Sequence, residues 1–210
     1  MVSNSLYTQS QGHGYFWEDQ IRSIFGLAPS GNDTSKHDIS LVQEDISVKT
    51  TGGKSVGMGD ILRIWELDAT KKQTLVIVRY KQFSGYKKVE EVIEINFTTE
   101  IRDYFFGSLT REELIQYVDL IKSIPKGRCS KSTSDLYKSV KKNLQNTKGM
   151  GIVINPKVDS KDQRRVQCSI PDINKLIEFF PDCLVSRCST ALFRGQSFDP
   201  IYESNRRKVS

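Results

Sequence analysis

The pattern of apolar and polar positions divides the front of the chain into a helix followed by strands. The segment 14–25 (GYFWEDQIRSIF) places its apolar residues three to four apart and predicts a helix. The segments 38–42 (DISLV) and 45–50 (DISVKT) alternate, which predicts two strands of a tight hairpin turning at Gln43-Glu44. The β-branched run 74–80 (TLVIVRY) and the segment 89–97 predict two further strands.

The remainder of the chain predicts helices and a second hairpin. The glycine-rich segment 51–59 (TGGKSVGMG) predicts a loop, and residues 60–67 fit either a short helix or an extended segment. Helices are predicted over 99–108, 111–124, 134–145 and 172–180, and a hairpin from strands at 151–155 and 165–170. We therefore expect an α/β (α+β) fold, with a mixed central sheet flanked by helices and a basic C-terminal part made of a helix and a hairpin.

The composition excludes two broad classes of protein. Of 210 residues, 37% are hydrophobic and 27% charged, which fits neither a membrane protein nor a disordered chain. No apolar run approaches the roughly 18–20 residues of a membrane span. The N-terminal sequence lacks the basic and apolar regions of a signal peptide. We expect a cytoplasmic protein that does not bind membranes, with a nuclear one as the alternative.

Charge is distributed unevenly along the chain. Residues 1–120 contain 13 Lys+Arg and 17 Asp+Glu, a net charge of −4, whereas residues 121–210 contain 18 and 8, a net charge of +10. We predict an acidic core over 1–120 and a basic part over 121–210, packed together as one structural domain. A basic part favours a polyanionic partner such as nucleic acid, and a solvated lysine-rich surface is the alternative.

Metal sites built from cysteine and histidine are excluded by spacing. The chain has four cysteines without a CxxC pair and only two histidines, His13 and His37, neither of which follows a cysteine. A zinc site of ordinary spacing does not fit this pattern. We expect free thiols in a reducing compartment.

The predicted first hairpin carries one polar face with possible chemistry. If it turns at Gln43-Glu44, Asp38 lies opposite Lys49, and Ser47 shares their face because side chains alternate. Carboxylates with a lysine suit phosphodiester hydrolysis: hard oxygen ligands bind Mg²⁺, and an ammonium orients water and stabilises charge on the phosphate. An ordinary solvent-facing Asp–Lys pair is the alternative, and it would contribute little to stability.

These residues resemble a known nuclease pattern. Asp38, followed by a strand that ends in Ser47-Val48-Lys49, is similar to the PD-(D/E)xK nuclease superfamily, and GHGYFWEDQI…HDI…ISVKTT over residues 12–97 resembles the opening of type II restriction endonucleases. The resemblance implies that Asp38 binds metal and that Lys49 is catalytic. Ser47 departs from the pattern, which has Asp or Glu there. We expect another residue to supply the carboxylate that is missing at position 47. Glu18 is the first choice, Asp60 is the second, and Glu66 and Asp45 are further candidates.

The resemblance implies a restriction-endonuclease-like fold and a site-specific, Mg²⁺-dependent endonuclease that cuts double-stranded DNA as a homodimer. A companion DNA methyltransferase is left open. Two alternatives remain: a non-catalytic DNA-binding protein on a nuclease-like fold, with Ser47 marking the loss of activity, and a protein-interaction module with a basic surface. Arginine and glutamine are the side chains that contact guanine and adenine edges, and lysine neutralises phosphate. The candidate DNA-binding residues are Lys54, Lys81, Gln82, Arg128, Lys131, Lys161, Arg164, Arg165 and Gln167.

Overall fold

A computed structural model of the chain describes residues 12–30, 38–67, 70–159 and 162–204. Lys161, one of the candidate DNA-binding residues, lies outside these ranges. The helices are α1 (Gly12–Ile24), α2 (Ile61–Trp65), α3 (Thr99–Phe106), α4 (Arg111–Lys122), α5 (Lys131–Thr147) and α6 (Ile173–Phe179). The strands are β1 (Ile39–Ser40), β2 (Glu44–Thr51), β3 (Val56–Asp60), β4 (Lys72–Phe83), β5 (Tyr86–Asn96), β6 (Val153–Val158), β7 (Arg164–Ile170), β8 (Leu184–Cys188), β9 (Leu192–Phe193), β10 (Gln196–Ser197) and β11 (Ile201–Glu203).

The chain forms two units, and neither is a continuous stretch of sequence. The first comprises residues 1–56, 68–97 and 174–210, and the second comprises 57–67 and 98–173. Strands and helices are interspersed in both, so the fold is of the mixed α+β class, as the pattern predicted.

A six-stranded mixed sheet organises the first unit. Its strands lie in the order β1-β2-β4-β5-β11, and β8 pairs with a second stretch of β5. Strands β2 and β4 are parallel, and the other pairs are antiparallel. The central strands β4 and β5 contain the predicted segments 74–80 and 89–97 almost completely, because apolar, β-branched runs of this length form strands that are buried on both faces.

The first hairpin forms, but its predicted register is wrong. Ile39 pairs with Ile46 and Ser40 with Asp45, so opposing positions sum to 85 rather than 87. The amide of Leu41 donates to the carbonyl of Glu44 at 2.8 Å, which places the turn at Val42-Gln43, one residue earlier than predicted. A shift of two positions preserves the strand faces. Ile39 and Ile46 therefore remain in the core, as predicted.

Helix α1 packs its apolar face against β2 of this sheet. Phe16, Trp17 and Ile21 are at most 2% exposed and join a core that includes Ile46 and Val48 of β2. The indole Nε1 of Trp17 donates to the carbonyl of Asp199 at 3.2 Å, so its polar atom is satisfied inside the core. Burial of each such side chain stabilises the fold by roughly 1.5–3 kcal/mol, which fixes the polar side of α1 relative to β2.

The second unit is built on a three-stranded sheet in the order β3-β7-β6. The predicted hairpin at its centre forms between β6 and β7, with Val153 opposite Ser169. Helices α4 and α5 pack against it. Helix α4 begins with a capping box between Thr110 and Glu113. Helix α5 is capped by Ser130 and begins at Lys131, three residues before the predicted start at residue 134.

Two regions differ from the predicted elements. Residues 56–59, expected to continue a glycine-rich loop, form β3 together with Asp60, and only 52–55 remain a turn. Residues 184–203, for which no strand was predicted, form β8 to β11, and two of these strands pair with β5. Both depend on partners that are distant in sequence, which local patterns do not encode.

The cysteines and the helix lengths were also the subject of expectations from the sequence. The four cysteines are free, as predicted, and burial raises the pKa of the Cys168 thiol to about 12, which keeps it protonated and unreactive. Among the residues that the structure describes, no helix has both the length and the apolar character needed to cross a membrane.

Candidate active site

Asp38 and Lys49 form the centre of the candidate site in the first unit. Oδ2 of Asp38 accepts a hydrogen bond from the backbone amide of Val48 at 2.5 Å and another from Nζ of Lys49 at 3.0 Å. The ammonium of Lys49 also donates to the carbonyl of Val48 at 3.0 Å. The two side chains are 21% and 24% exposed, so the pair is partly desolvated but accessible from solvent. The structure therefore brings together the two residues on which the sequence argument depended.

The pair forms although Asp38 does not lie opposite Lys49. Continuing the observed register places Asp38 opposite Ser47, one step before the lysine on the same strand face. The flexible four-carbon stem of Lys49 reaches back to the carboxylate. The predicted contact is confirmed, but the pairing from which it was derived is wrong.

Glu18 on α1 belongs to the same electrostatic environment. The pKa of its carboxyl is raised from 4.5 to about 7, chiefly by burial and then by the negative charge of Asp38, with a smaller contribution from Asp19. The Ser30 side chain and the charge of Lys49 act in the opposite direction. Asp38 and Lys49 can influence this carboxyl only if they lie close to it. The first choice for a replacement carboxylate is thus placed beside the pair, as expected of an N-terminal helix that packs on β2.

Arg22, which the sequence argument did not single out, ties α1 to the segment that carries Asp38. It lies one turn after Glu18, and its guanidinium donates to the backbone carbonyl of Asp38 and, at 2.9 Å, to that of Ala28. Residues four apart share one side of a helix, so Glu18 and Arg22 face the same segment. The spacing of these two charged residues on the polar side of an amphipathic helix was the available sequence signal.

Asp19 has a supporting role at the same helix. It is only 7% exposed, and its Oδ1 accepts hydrogen bonds from the amide and the hydroxyl of Ser30 at 2.7 and 3.1 Å. These contacts hold the segment after α1 against the helix. Ser30 is thereby positioned where its side chain also interacts with Glu18.

The remaining carboxylate candidates have other partners. Asp45 is 5% exposed and lies 3.4 Å from the amide nitrogen of Gln73 and 3.5 Å from Nζ of Lys71. Asp60, the second choice, lies in the second unit, where its Oδ1 accepts from the amides of Leu62 and Arg63 as the N-cap of α2.

Glu66 also lies in the second unit and forms an ion pair with Arg111 at 3.1 Å. Ser47 is half-buried on the same face of β2 as Lys49. Of the residues considered to replace its missing carboxylate, the structure thus places Glu18 in the electrostatic environment of the Asp38–Lys49 pair.

The turn that follows β2 is held rigid just after Lys49. The hydroxyl of Thr51 donates to the carbonyl of Ser55 at 2.7 Å and accepts from the amide of Gly53 at 3.1 Å. A Cβ at Gly52 would lie 3.1 Å from the Tyr80 ring, so a larger residue would press on that ring. This turn presents Lys54, a candidate DNA-binding residue, as an exposed side chain.

The other candidate DNA-binding residues fall into two groups. Arg164 and Gln82 have internal roles. Arg164 donates to the carbonyls of Ile124 and Gly127 at 3.0 and 3.1 Å, and Gln82 donates to those of Phe83 and Tyr86 at 2.6 and 3.0 Å. These hydrogen bonds satisfy backbone carbonyls of a loop and of a hairpin tip. The structure therefore gives no support to the prediction that Arg164 and Gln82 contact bases. The side chains that remain open to solvent, fully or in part, are those of Lys54, Lys81, Arg128, Lys131, Arg165 and Gln167.

The side chains of the site fit a hard divalent cation only when water and substrate supply its other ligands. Within the described ranges no group of three or more His, Cys, Asp or Glu side chains is placed to hold a metal. Mg²⁺ is commonly bound by one or two carboxylates, with water and substrate phosphate as its other ligands. Glu18 and Asp38 supply two carboxylates in mutual repulsion, a condition that a cation relieves. The residues therefore fit Mg²⁺ bound together with substrate, not a cage made by the protein alone.

Comparisons with protein-family models, with curated proteins and with solved structures found no match. The similarity of the Asp38 and Ser47-Val48-Lys49 segments to the nuclease pattern accordingly stays a resemblance. We infer its function from the geometry of the site.

Proposed function

We propose that this protein is a site-specific, Mg²⁺-dependent endonuclease that hydrolyses double-stranded DNA, as type II restriction enzymes do. The observation that carries the proposal is the convergence on one partly exposed site of Glu18 from α1, Asp38 from the residue before β1, and Lys49 from β2. Two carboxylates and a lysine at the end of a mixed sheet also support a restriction-endonuclease-like fold for the first unit.

Each residue has a chemical role in this proposal. Asp38 and Glu18 would bind Mg²⁺, which when present stabilises negative charge on the phosphate and lowers the pKa of a bound water. Lys49, held by Asp38 and the Val48 carbonyl, would direct its ammonium at the attacking water and at the charge that develops on the phosphate. Arg22 would keep Asp38 in position through its backbone. A homodimer would place one such site at each strand of the duplex.

The experiment incubates the purified protein with phage and plasmid DNA in Mg²⁺, with EDTA as a parallel condition. Lys49→Met removes the ammonium and keeps the aliphatic stem. Lys71→Met is a matched control, because Lys71 is also a partly exposed lysine of the first unit in an ion pair with a carboxylate. We expect discrete fragments from the wild type and from Lys71→Met. Lys49→Met should be slower by about 10²–10⁴-fold, the usual effect of removing a catalytic group.

A non-catalytic DNA-binding protein is the second candidate, and the serine at position 47 favours it. Its signature is retardation of DNA that is equal in Mg²⁺ and EDTA, with no cleavage in Mg²⁺ or Mn²⁺. Folded protein that behaves in this way would overturn the enzymatic proposal. Equal cleavage by Lys49→Met and wild type would overturn the assignment of the site while leaving the activity in place.

A further inference from the structure

Ion pairs are distributed unevenly among the basic side chains. Basic residues elsewhere in the described ranges often contact acids, for example Lys72 with Glu44 at 3.1 Å and Arg111 with Glu66 at 3.1 Å. In segment 122–165, the described basic side chains other than Lys148 form no ion pair with a described acid. Arg164 is bound to carbonyls instead. The unpaired side chains are Lys122, Lys126, Arg128, Lys131, Lys138, Lys141, Lys142, Lys157 and Arg165.

Helix α5 arranges three of these charges in a row. Lys131, Lys138 and Lys142 are exposed and spaced seven and four residues apart, which places them on one side of the helix over roughly 16 Å of its length. Asp135 lies on the same side and is the one acidic residue of α5. The opposite side contacts the protein interior through Tyr137 and Leu144.

The β6–β7 hairpin adds two like charges that face each other. Lys157 and Arg165 are directly paired across the two strands, and both are exposed. Like charges at opposed positions of an antiparallel pair destabilise it. No described acid contacts either residue to offset the repulsion, so this pair is unfavourable for the isolated protein.

A cleft lies at the beginning of α5, and its lining reaches β6. It has a volume of about 620 Å³, and its lining includes Arg128, Lys131, Lys138 and Val158, the last of which follows Lys157 in β6. Charges from the loop before α5 and from α5 are therefore parts of one region of the second unit. Lys157 and Arg165 are one position along their strands from Val158 and Arg164, so they lie on the other face of the hairpin. We define the basic face as Arg128, Lys131, Lys138 and Lys142.

We propose that the basic face of the second unit binds the phosphate backbone of double-stranded nucleic acid without regard to sequence. Duplex DNA has about one charge per 1.7 Å of its axis, so the roughly 16 Å row on α5 meets several phosphates at once. This inference goes beyond the proposed cleavage, because it requires neither a divalent metal nor Lys49.

The composition of the face distinguishes a duplex from other polyanions. Single strands are bound by exposed aromatic rings that stack on bases. The only aromatic residue of segment 122–165 is Tyr137, which is 8% exposed. Membrane-surface helices present a broad apolar side to the lipid. On α5 the apolar side is occupied by the protein interior, and its one large exposed apolar residue, Leu136, lies about 160° around the helix from Lys138.

The test measures binding to a duplex DNA of about 25 base pairs and arbitrary sequence, in EDTA, by fluorescence anisotropy over a range of salt concentrations. The triple variant Lys131→Gln, Lys138→Gln, Lys142→Gln should reduce the slope of log affinity against log salt by about 2–3 and weaken binding at least ~10-fold. A matched control changes Lys72, Arg102 and Arg111 to Gln. It removes the same charge from side chains that are already ion-paired, and should change the slope by less than about 1.

Arg165→Gln is a second control, because Arg165 is also exposed and without an ion pair but lies on the other face of the hairpin. It should leave duplex binding nearly unchanged while the melting temperature stays equal or rises, because a like-charge contact is removed. All of these measurements are made in EDTA, where the proposed metal-dependent cleavage does not take place, so failure of the proposed catalysis would leave this result unchanged.

Three outcomes would overturn the proposal: an equal loss of binding in the triple variant and its control, tighter binding of single-stranded DNA than of the duplex, or binding to phosphatidylserine vesicles that the triple variant alone abolishes. Comparable binding of an RNA duplex would support it, since the backbone and not the base edges would be recognised.

Discussion

Glu18→Gln is expected to stabilise the protein at alkaline pH although it removes a residue of the candidate site. Burial, with the nearby charge of Asp38, raises the pKa of Glu18 from 4.5 to about 7 in the folded state. The folded protein therefore holds this proton more tightly than the unfolded chain. Its stability falls as the pH rises from about 4.5 through about 7. Glutamine has nearly the same shape and carries no charge, so it escapes this cost.

The size of the effect follows from the same values. The difference between 4.5 and about 7 corresponds to about 3–4 kcal/mol before solvent screening. Glu18 is half-buried, and the solvent that reaches it reduces the expectation to about 1–2 kcal/mol at pH 8. For a chain of this length, that is an increase in melting temperature of roughly 3–6 °C. At pH 4, where Glu18 is protonated in both states, we expect almost no difference.

The assay is thermal or urea unfolding of wild type and Glu18→Gln at pH 4, 6 and 8, in EDTA to exclude bound metal. Glu112→Gln is the control, because Glu112 is exposed and its substitution should not produce this pH dependence. A stability difference between wild type and Glu18→Gln that is the same at all three pH values would refute the reasoning. A site that costs stability in this way is typical of residues kept for function.

Three further predictions concern other parts of the first and second units. In urea unfolding, Glu44→Gln should destabilise the protein by about 1–2 kcal/mol at pH 7 but not at pH 2. The reason is that the Arg194 guanidinium lowers the pKa of Glu44 to about 2, so the stabilisation disappears as the pH falls from about 4.5 to 2. A loss of stability that does not depend on pH would contradict this. Gly107→Ala should lower the melting temperature by several degrees, since Gly107 has φ 55° and an added Cβ would lie 2.0 Å from the Lys148 carbonyl oxygen, whereas Gly53→Ala, with open space around it, should not. Arg22→Met removes the hydrogen bond to the backbone carbonyl of Asp38. In single-turnover assays this variant should slow the proposed cleavage at least ~10-fold without weakening duplex binding. Unchanged cleavage would show that Arg22 does not position the site.

Local sequence patterns determined the elements that carry the candidate site. The helical spacing of Phe16, Trp17 and Ile21 and the alternation of β2 are properties of single segments, and each segment buries the face that its own pattern makes apolar. This placed Lys49 and Asp38 on a common face even though the predicted register was displaced by two residues. A register shift of two residues cannot move a side chain to the other face of a strand. The predicted contact between Asp38 and Lys49 therefore forms, at 3.0 Å, although the predicted pairing was wrong.

Tertiary structure alone decided the partners that no local pattern encodes. The strands β8 and β11 join β5 from about 90 to 115 residues further along the chain, and β3 emerges from a glycine-rich segment because it pairs with β7. Arginine is a residue type that contacts base edges, but the guanidinium of Arg164 donates to the backbone carbonyls of Ile124 and Gly127 instead. The sequence by itself determined which face of each segment is buried, because that depends on the free energy of removing its own apolar side chains from water. Which segments meet, and which charged side chains are left without a partner, depends on contacts between residues far apart in the chain, and only the folded structure contains them.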